Sequence, residues 1–434
     1  MRLHSTSDNK VTADFRTAVK QGLAPDGGLY MPDSLPVLPD TFWVDAGKKD
    51  IASVAQHVFD TLLKDDFSDA ERKEIVDRAF TFDAPVVSLD DTFHILELFH
   101  GPTLAFKDFG ARTMAAILSV IAEKEGEKLT IVTATSGDTG AAVAHGFHKT
   151  PGVEVFVLYP RGQVSPLQEK QFTTLGDNII ALEVNGTFDD CQRLVKACFS
   201  DDQIRAQKQL STANSINIAR LLPQMIYYMH AVSVLIAEKG SGNPIVCSVP
   251  SGNFGNLTAG LMAHRMGLPV DRFVAATNCN HVVPDYLEEG EFIPKPSMRT
   301  LSNAMDVGNP SNFDRMQSLY NHDHEAMSRD IKGAWFDDFQ TQSAIVDIWV
   351  KHGYLMDPHT AVGYLGCREY LQEGETGLVL ATAHPAKFPE SIEKFVPGAL
   401  ETPEQLKRLA DRDKKSIPVS AGIESVRDAI LRVV

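Results

Sequence analysis

The sequence predicts an α/β protein in which two parallel-sheet domains follow a small mixed α+β domain. Three observations carry this. The chain has 434 residues, more than one hydrophobic core usually organises. From about residue 95 onward, short runs rich in β-branched residues alternate with amphipathic stretches, the cadence of parallel strands joined by crossover helices and covered on both faces. Before residue 90 that cadence is missing, and helical pieces alternate with proline-rich loops such as residues 31–39. The expected divisions are 1–92, 93–222 and 223–434, with a loop-rich insertion near 280–335 marked by Pro284, Pro294, Pro296 and Pro310.

In the first division, Pro25-Asp-Gly-Gly28 reads as a tight turn. The second opens with Glu97-Leu-Phe-His-Gly-Pro-Thr-Leu-Ala-Phe-Lys-Asp-Phe-Gly110. After it, Met114, Ile117, Leu118 and Ile121 recur at helical steps and Gly126 closes the pattern, so a helix is predicted from about 108 to 125. Lys107 stands at its N-terminal end, where the helix dipole disfavours a cation and pushes the ammonium toward the neutral, nucleophilic amine. A surface lysine between two core phenylalanines, Phe106 and Phe109, would leave the same local pattern.

Strands are predicted over 129–133, 153–158 and 179–184, and a helix over 188–199. Ser165 reads as an N-cap with Pro166 at the first helical position. The third division repeats the cadence with strands at 245–249, 273–276 and 377–382. No short-period repeat or low-complexity tract interrupts it.

Two glycine-bearing segments follow predicted strands and open predicted helices. In Ser251-Gly-Asn-Phe-Gly-Asn256, backbone N–H groups bared at Gly252 and Gly255 can cradle a phosphate. It is neither a dinucleotide fingerprint nor a Walker loop. Ser136-Gly-Asp-Thr-Gly140 adds hydroxyls to a similar turn and suits a carboxylate. Each segment also reads as a tight strand-to-helix turn with no ligand. Asn214, Ser215 and Arg220 fall near another helix start, where a guanidinium fork and a hydroxyl can share one phosphate. A helix cap with a surface arginine is the alternative.

Composition excludes several classes. The formal charge is −16, from 41 basic and 57 acidic residues, with no basic run that could track nucleic acid. The first eight residues lack the apolar stretch of a leader, and no window reaches the roughly eighteen apolar residues of a membrane span, so a cytoplasmic protein is expected. Cys191, Cys198, Cys247, Cys279 and Cys367 are odd in number and widely spaced, which predicts free, mostly buried thiols. His322, His324 and Glu325 lie in a polar run without ligand spacing, so a solvated loop is expected and no metal site.

The lysine segment resembles the lysine motif of the threonine synthase family, pyridoxal-phosphate enzymes, in its bacterial and fungal type. Residues 24–30, 136–140, 214–217, 251–256 and 308–313 are similar to that family's blocks in the family's order, from about residue 20 to about 390. The resemblance implies a fold-type II enzyme with pyridoxal 5'-phosphate between the two parallel-sheet domains, and an N-terminal loop at 25–28 that reaches the site. It implies that Lys107 bonds the cofactor and acts as the acid–base. Gly252, Asn253, Phe254, Gly255 and Asn256 would hold the cofactor phosphate. Thr382 would face the pyridine nitrogen with a hydroxyl, a milder electron withdrawal than an aspartate gives. Ser136, Gly137, Asp138 and Thr139 would grip the substrate's α-carboxylate, and Asn214, Ser215 and Arg220 its phosphate. The implied reaction converts O-phospho-L-homoserine and water to L-threonine and phosphate, the last step of threonine biosynthesis, in a monomer or homodimer. A β-eliminating enzyme acting on serine, threonine or phosphoserine would share the lysine and glycine loop. A silent metabolite-binding protein on the same fold would not need the lysine.

Overall fold

The computed structural model describes residues 1–135 and 137–432 and arranges them around three sheets. The first is antiparallel and N-terminal, with strands β1 (Arg2–Ser5), β2 (Thr12–Asp14) and β3 (Tyr30–Pro32) in the order β2-β1-β3. Helices complete this part. Ile51–Leu62, for example, buries Ile51, Val54, Ala55, Val58, Phe59 and Leu62 on one stripe, and Asp50 caps its start by accepting the Ser53 N–H. Each of these side chains larger than alanine contributes about 1.5–3 kcal/mol by leaving water.

The remaining strands are β4 (Val86–Ser88), β5 (Phe93–Glu97), β6 (Leu129–Ala134), β7 (Val153–Pro160), β8 (Ile179–Asn185), β9 (Gln209–Ser211), β10 (Ile245–Pro250), β11 (Arg272–Thr277), β12 (Ile331–Trp335), β13 (Thr376–Ala381) and β14 (Ile417–Ser420). They form a six-stranded sheet, β12-β11-β10-β13-β5-β4, and a five-stranded sheet, β14-β8-β7-β6-β9. All pairings in these two sheets are parallel except β4 with β5. Every residue of β6, β10 and β13 is buried, as expected of strands covered on both faces.

The expected halves 93–222 and 223–434 exchange strands. β5 pairs with β13, His94 opposite Leu378, and so joins the sheet built mostly from later residues. β14 pairs with β8, Val419 opposite Val184, and covers the outer edge of the other sheet. An open parallel edge exposes a row of unpaired peptide groups, and the late strand moves that edge from the apolar β8 to a four-residue strand that carries Pro418.

The insertion near 280–335 is more regular than its prolines predict. It holds helices Val282–Glu289, Phe313–Leu319 and His324–Asp330, and β12 extends the six-stranded sheet. Pro284 falls in the first turn of its helix, where no intrahelical N–H bond is lost. His324 is not in a solvated loop: it begins a helix, and its Nε2 lies 2.9 Å from the Tyr286 carbonyl oxygen. Among the described residues, no His, Cys, Asp or Glu cluster could hold a metal ion, and no helix is long and apolar enough to cross a membrane. All five cysteines are free; four are buried and Cys279 is half-buried.

Candidate active site

The helix predicted from 108 spans Lys107–Glu125, so Lys107 is its first residue. The preceding loop is folded by Asp108, whose two carboxylate oxygens accept the Thr103 N–H at 2.8 Å and the Thr103 hydroxyl at 2.7 Å. Burial pushes the Asp108 carboxyl up to about 6 against those two hydrogen bonds. The same loop is tied to the end of β13. Leu98 N–H donates to Ala381 O, Phe106 N–H to Thr382 O, and His384 N–H to Leu104 O, at 2.9, 2.9 and 3.0 Å. Gly110 is required by contact, since a Cβ there would stand 2.7 Å from the Arg220 carbonyl oxygen.

Lys107 Nζ lies 5.0 Å from the Phe106 ring centroid and 3.9 Å from Asp138 Oδ2. Burial is the main cause that pulls its pKa below the ordinary lysine value; Asp138 opposes this, and the Lys387 and Arg220 charges add to it. The amine is thus biased toward neutrality, with desolvation as the first cause.

Asp138 begins the helix Asp138–Phe147 after β6. Thr135 Oγ1 shapes the turn by accepting the N–H groups of Gly137 and Gly140 at 2.9 and 2.8 Å. Those two donors are thus engaged within the protein. Gly137 adopts φ 150°, and a Cβ on it would strike the Gln168 amide at 2.5 Å. Ser136 lies outside the described residues. Asp138 itself is a buried carboxylate whose Oδ1 takes Lys387 Nζ at 2.7 Å and Gln168 Nε2 at 2.9 Å. Burial alone would raise its pKa, but neighbouring positive charge, that of Lys387 first, outweighs burial and holds it well below the usual carboxylate range.

The turn after β10 corrects the reason given for its glycines. A Cβ on Gly252 would meet the Met305 Cα at 2.7 Å and the Ala304 carbonyl oxygen at 2.9 Å, so this glycine admits the neighbouring backbone. The left-handed residue is Phe254, φ 59°, and not a glycine. Gly255 opens the helix Gly255–Arg265 with nothing closer than Asn312 Nδ2 at 3.3 Å, and this is the bare position. Asn253 donates to Ser215 Oγ at 2.6 Å and accepts the Ser311 N–H at 2.7 Å, which joins three segments. Asn256 accepts the hydroxyls of Tyr227 and Tyr228 at 2.6 and 2.7 Å.

Asn214 accepts the Thr133 hydroxyl, and Arg220 sits on the short helix Ile218–Leu221 with Nη1 donating to Ala213 O. Burial lowers the Arg220 pKa to about 10, which still leaves it charged at neutral pH.

One cleft of about 1900 Å³ is lined by every described candidate except Gly137: Lys107, Asp138, Thr139, Asn214, Ser215, Arg220, residues 252–256 and Thr382. Pro25 and Gly27 also line it, so the N-terminal turn reaches the site. Buried N–H donors stand unpartnered at Asn256 Nδ2, Asn312 Nδ2 and Arg220 Nε. Orphan donors around a helix start, with a half-buried amine in the same cleft, fit a ligand that carries phosphate oxygens and a carbonyl carbon.

Three residues were missed in the sequence. Lys387 is one. His359 is another: its Nδ1 lies 2.6 Å from Asp357 Oδ2, and its Nε2 accepts the Ala304 N–H at 3.2 Å, which fixes the turn lying over Gly252. Arg315, fully buried, donates to the carbonyls of Tyr30, Ser215 and Ile216 and to Asn312 Oδ1, tying the N-terminal sheet to the 215–216 wall. Each also reaches a partner across a long sequence separation, Asp138, Ala304 and Tyr30 respectively, which no local pattern marks.

The two largely parallel sheets and the cleft with its half-buried lysine define a pyridoxal-phosphate dependent enzyme, and that family matches residues 85–383. Two further families, the threonine synthase N terminus and the threonine synthase C-terminal region, match residues 2–80 and 360–430. The chain belongs to the threonine synthase family. It is 45% identical to threonine synthase of Escherichia coli K12 over 99% of both chains. A crystal structure of the Escherichia coli enzyme superposes with a TM-score of 0.91 at 44% identity, covering 100% of each chain. Pyridoxal-phosphate-bound threonine synthase from Brucella melitensis superposes at 0.93 with 33% identity, covering 100% of this chain and 99% of that one.

Proposed function

We propose that this protein converts O-phospho-L-homoserine and water to L-threonine and phosphate, as a cytoplasmic biosynthetic enzyme using pyridoxal phosphate. The observation that carries the reading is the pairing, in one cleft, of a half-buried amine with a buried guanidinium. The first suits an amino-acid cofactor enzyme, and the second suits a phosphorylated substrate. When bound, the cofactor supplies a sink for the electrons left at Cα. Lys107 holds the cofactor at its carbonyl carbon. Freed by the substrate amine, its Nζ takes the proton from Cα and then one from Cβ as phosphate leaves Cγ. It would return a proton to Cγ before water adds its hydroxyl at Cβ and a proton to Cα afterwards, the water's remaining proton going to the released phosphate.

Arg220 and the Ser215 hydroxyl orient the γ-phosphate. The backbone N–H groups of the turn at 252–256 and the Asn256 amide hold the cofactor phosphate, and Thr382 faces the pyridine nitrogen. Gly255 leaves room there that a side chain would take. Asn253, bonded to both Ser215 and Ser311, keeps the two phosphate walls in register.

The test is release of phosphate and threonine from O-phospho-L-homoserine, compared with turnover of O-phosphoserine, serine and threonine. Threonine formation from the first, with slow turnover of the others, is expected. Keto-acid formation from serine or phosphoserine without threonine from phosphohomoserine would assign the β-eliminating activity instead.

A further inference from the structure

Lys387 is a second lysine, bonded to the cleft residue Asp138, with a side chain only 1% exposed. The turn Pro385–Lys387 places it: the His384 side chain accepts the Ala386 N–H, and the backbone at 384 is bonded to Leu104 in the Lys107 loop. Its ammonium reaches Asp138 Oδ1 at 2.7 Å and the Thr103 carbonyl oxygen at 2.8 Å. Gln168 donates to the same Asp138 oxygen. Oδ2 is left toward Lys107, 3.9 Å away and beyond hydrogen-bond range.

Asp138 is kept ionised in this buried place by neighbouring positive charge. Two ammonium groups are available, and the distances divide the work between them. If Lys107 supplied that charge it would be held protonated, and a protonated amine neither attacks a carbonyl carbon nor takes a proton. We propose that Lys387 is a positioning residue whose ammonium neutralises and orients Asp138 through Oδ1, so that Lys107 is not that carboxylate's counter-ion and stands in the cleft as a neutral amine.

The charged groups around the pair agree with this division. Lys107 is faced by Asp138, Lys387, Arg220 and Asp108, and Asp138 by Lys387, Lys107 and His359. Lys387 and Arg220 both push Lys107 toward neutrality, while Asp138 pulls the other way. Removing Lys387 therefore takes away one repelling cation and also leaves Asp138 with Lys107 as its nearest ammonium.

The inference rests on Lys107 being the reactive amine, and the experiment separates the two. The full chain, stripped of cofactor, is trace-acetylated across a pH series and the label at Lys107 is read by mass spectrometry. Lys387→Met is expected to slow labelling at pH 8 by about tenfold and to move the profile to higher pH. In an Asp138→Asn background the same change is expected to slow it less than about threefold, because only the direct repulsion is then lost. Lys387→Gln keeps a donor toward Asp138 without the charge, and it serves should the methionine variant not fold; the same slowing is expected. Wild-type labelling in either variant, or an equal factor in both backgrounds, overturns the inference. Separately, borohydride fixation of the loaded protein and peptide mapping should find the cofactor on Lys107. Cofactor on Lys387 would instead overturn the assignment of Lys107 itself.

Discussion

Arg220→Gln tests substrate identity more directly than any change at the cofactor. The guanidinium is 3% exposed, spends Nη1 on the Ala213 carbonyl and leaves Nε without a partner. Burial lowers its pKa only to about 10, so the charge is present at neutral pH, in a protein whose net charge of −16 does nothing to attract a dianion. A charge-assisted hydrogen bond contributes about 1.5–3 kcal/mol. Since about 1.4 kcal/mol is a factor of ten, glutamine should lower kcat/KM on O-phospho-L-homoserine by about 10- to 150-fold. Glutamine retains an N–H donor toward Ala213, so the wall should stand. The assay pairs steady-state phosphate release with the cofactor's visible absorbance and with any slow turnover of serine. Absorbance and serine turnover should be nearly unchanged. Equal losses on both substrates would make Arg220 a structural residue, and undiminished kcat/KM would remove it from the phosphate site.

Lys107→Ala should fold, lose borohydride-fixable cofactor and lose threonine formation; wild-type turnover from it would refute the assignment. The two glycines of the phosphate turn should part company. Gly252→Ala forces its Cβ into the backbone at Ala304–Met305 and should destabilise the cofactor-free protein by about 1–3 kcal/mol, while Gly255→Ala should spare the melting temperature yet weaken cofactor retention on dialysis. Equal melting temperatures for the two variants would count against the contacts described. Asp108 has a folded pKa of about 6 against the usual 3.8, so its protonated form is favoured by folding; that contribution is present below 3.8 and lost as pH rises through 6. The stability difference between wild type and Asp108→Asn should therefore favour wild type by about 2 kcal/mol more at pH 4.5 than at pH 7.5, read by urea denaturation. A pH-independent difference would mean that this carboxyl does not titrate in that window.

The helix from Lys107 and strands such as β6, β7 and β10 were legible because their signal is local, a period of 3.6 or an unbroken apolar run closed by glycine or proline. The residues gathered in the cleft were legible where chemistry sits in a short peptide: Lys107, residues 252–256, and Asn214 with Ser215. Lys387 was not, although it follows 383–386 directly, because what makes it a site residue is Asp138, far away in the sequence. His359 and Arg315 share that reason. Gly252 was legible as a glycine but not for its cause, since the backbone it admits comes from the 303–305 turn. The strand exchange was invisible for the same kind of reason: a strand's pattern shows that it is buried but not which edge it joins.

That exchange also shapes how the molecule comes into being. The partner of β8 is delivered only when residues 417–420 have been made, and β5 waits for residues 376–381. At translation speeds of about 5–20 residues per second, β8 stands without its outer neighbour for roughly 10 to 50 s on the ribosome. During that interval the nascent chain carries two unfinished sheets at once, each with an apolar strand offering its peptide groups to any passing extended segment. Chaperone demand should thus fall on the growing chain rather than on the finished enzyme, and a fragment cut between the two sheets would lack a strand on each side of the cut.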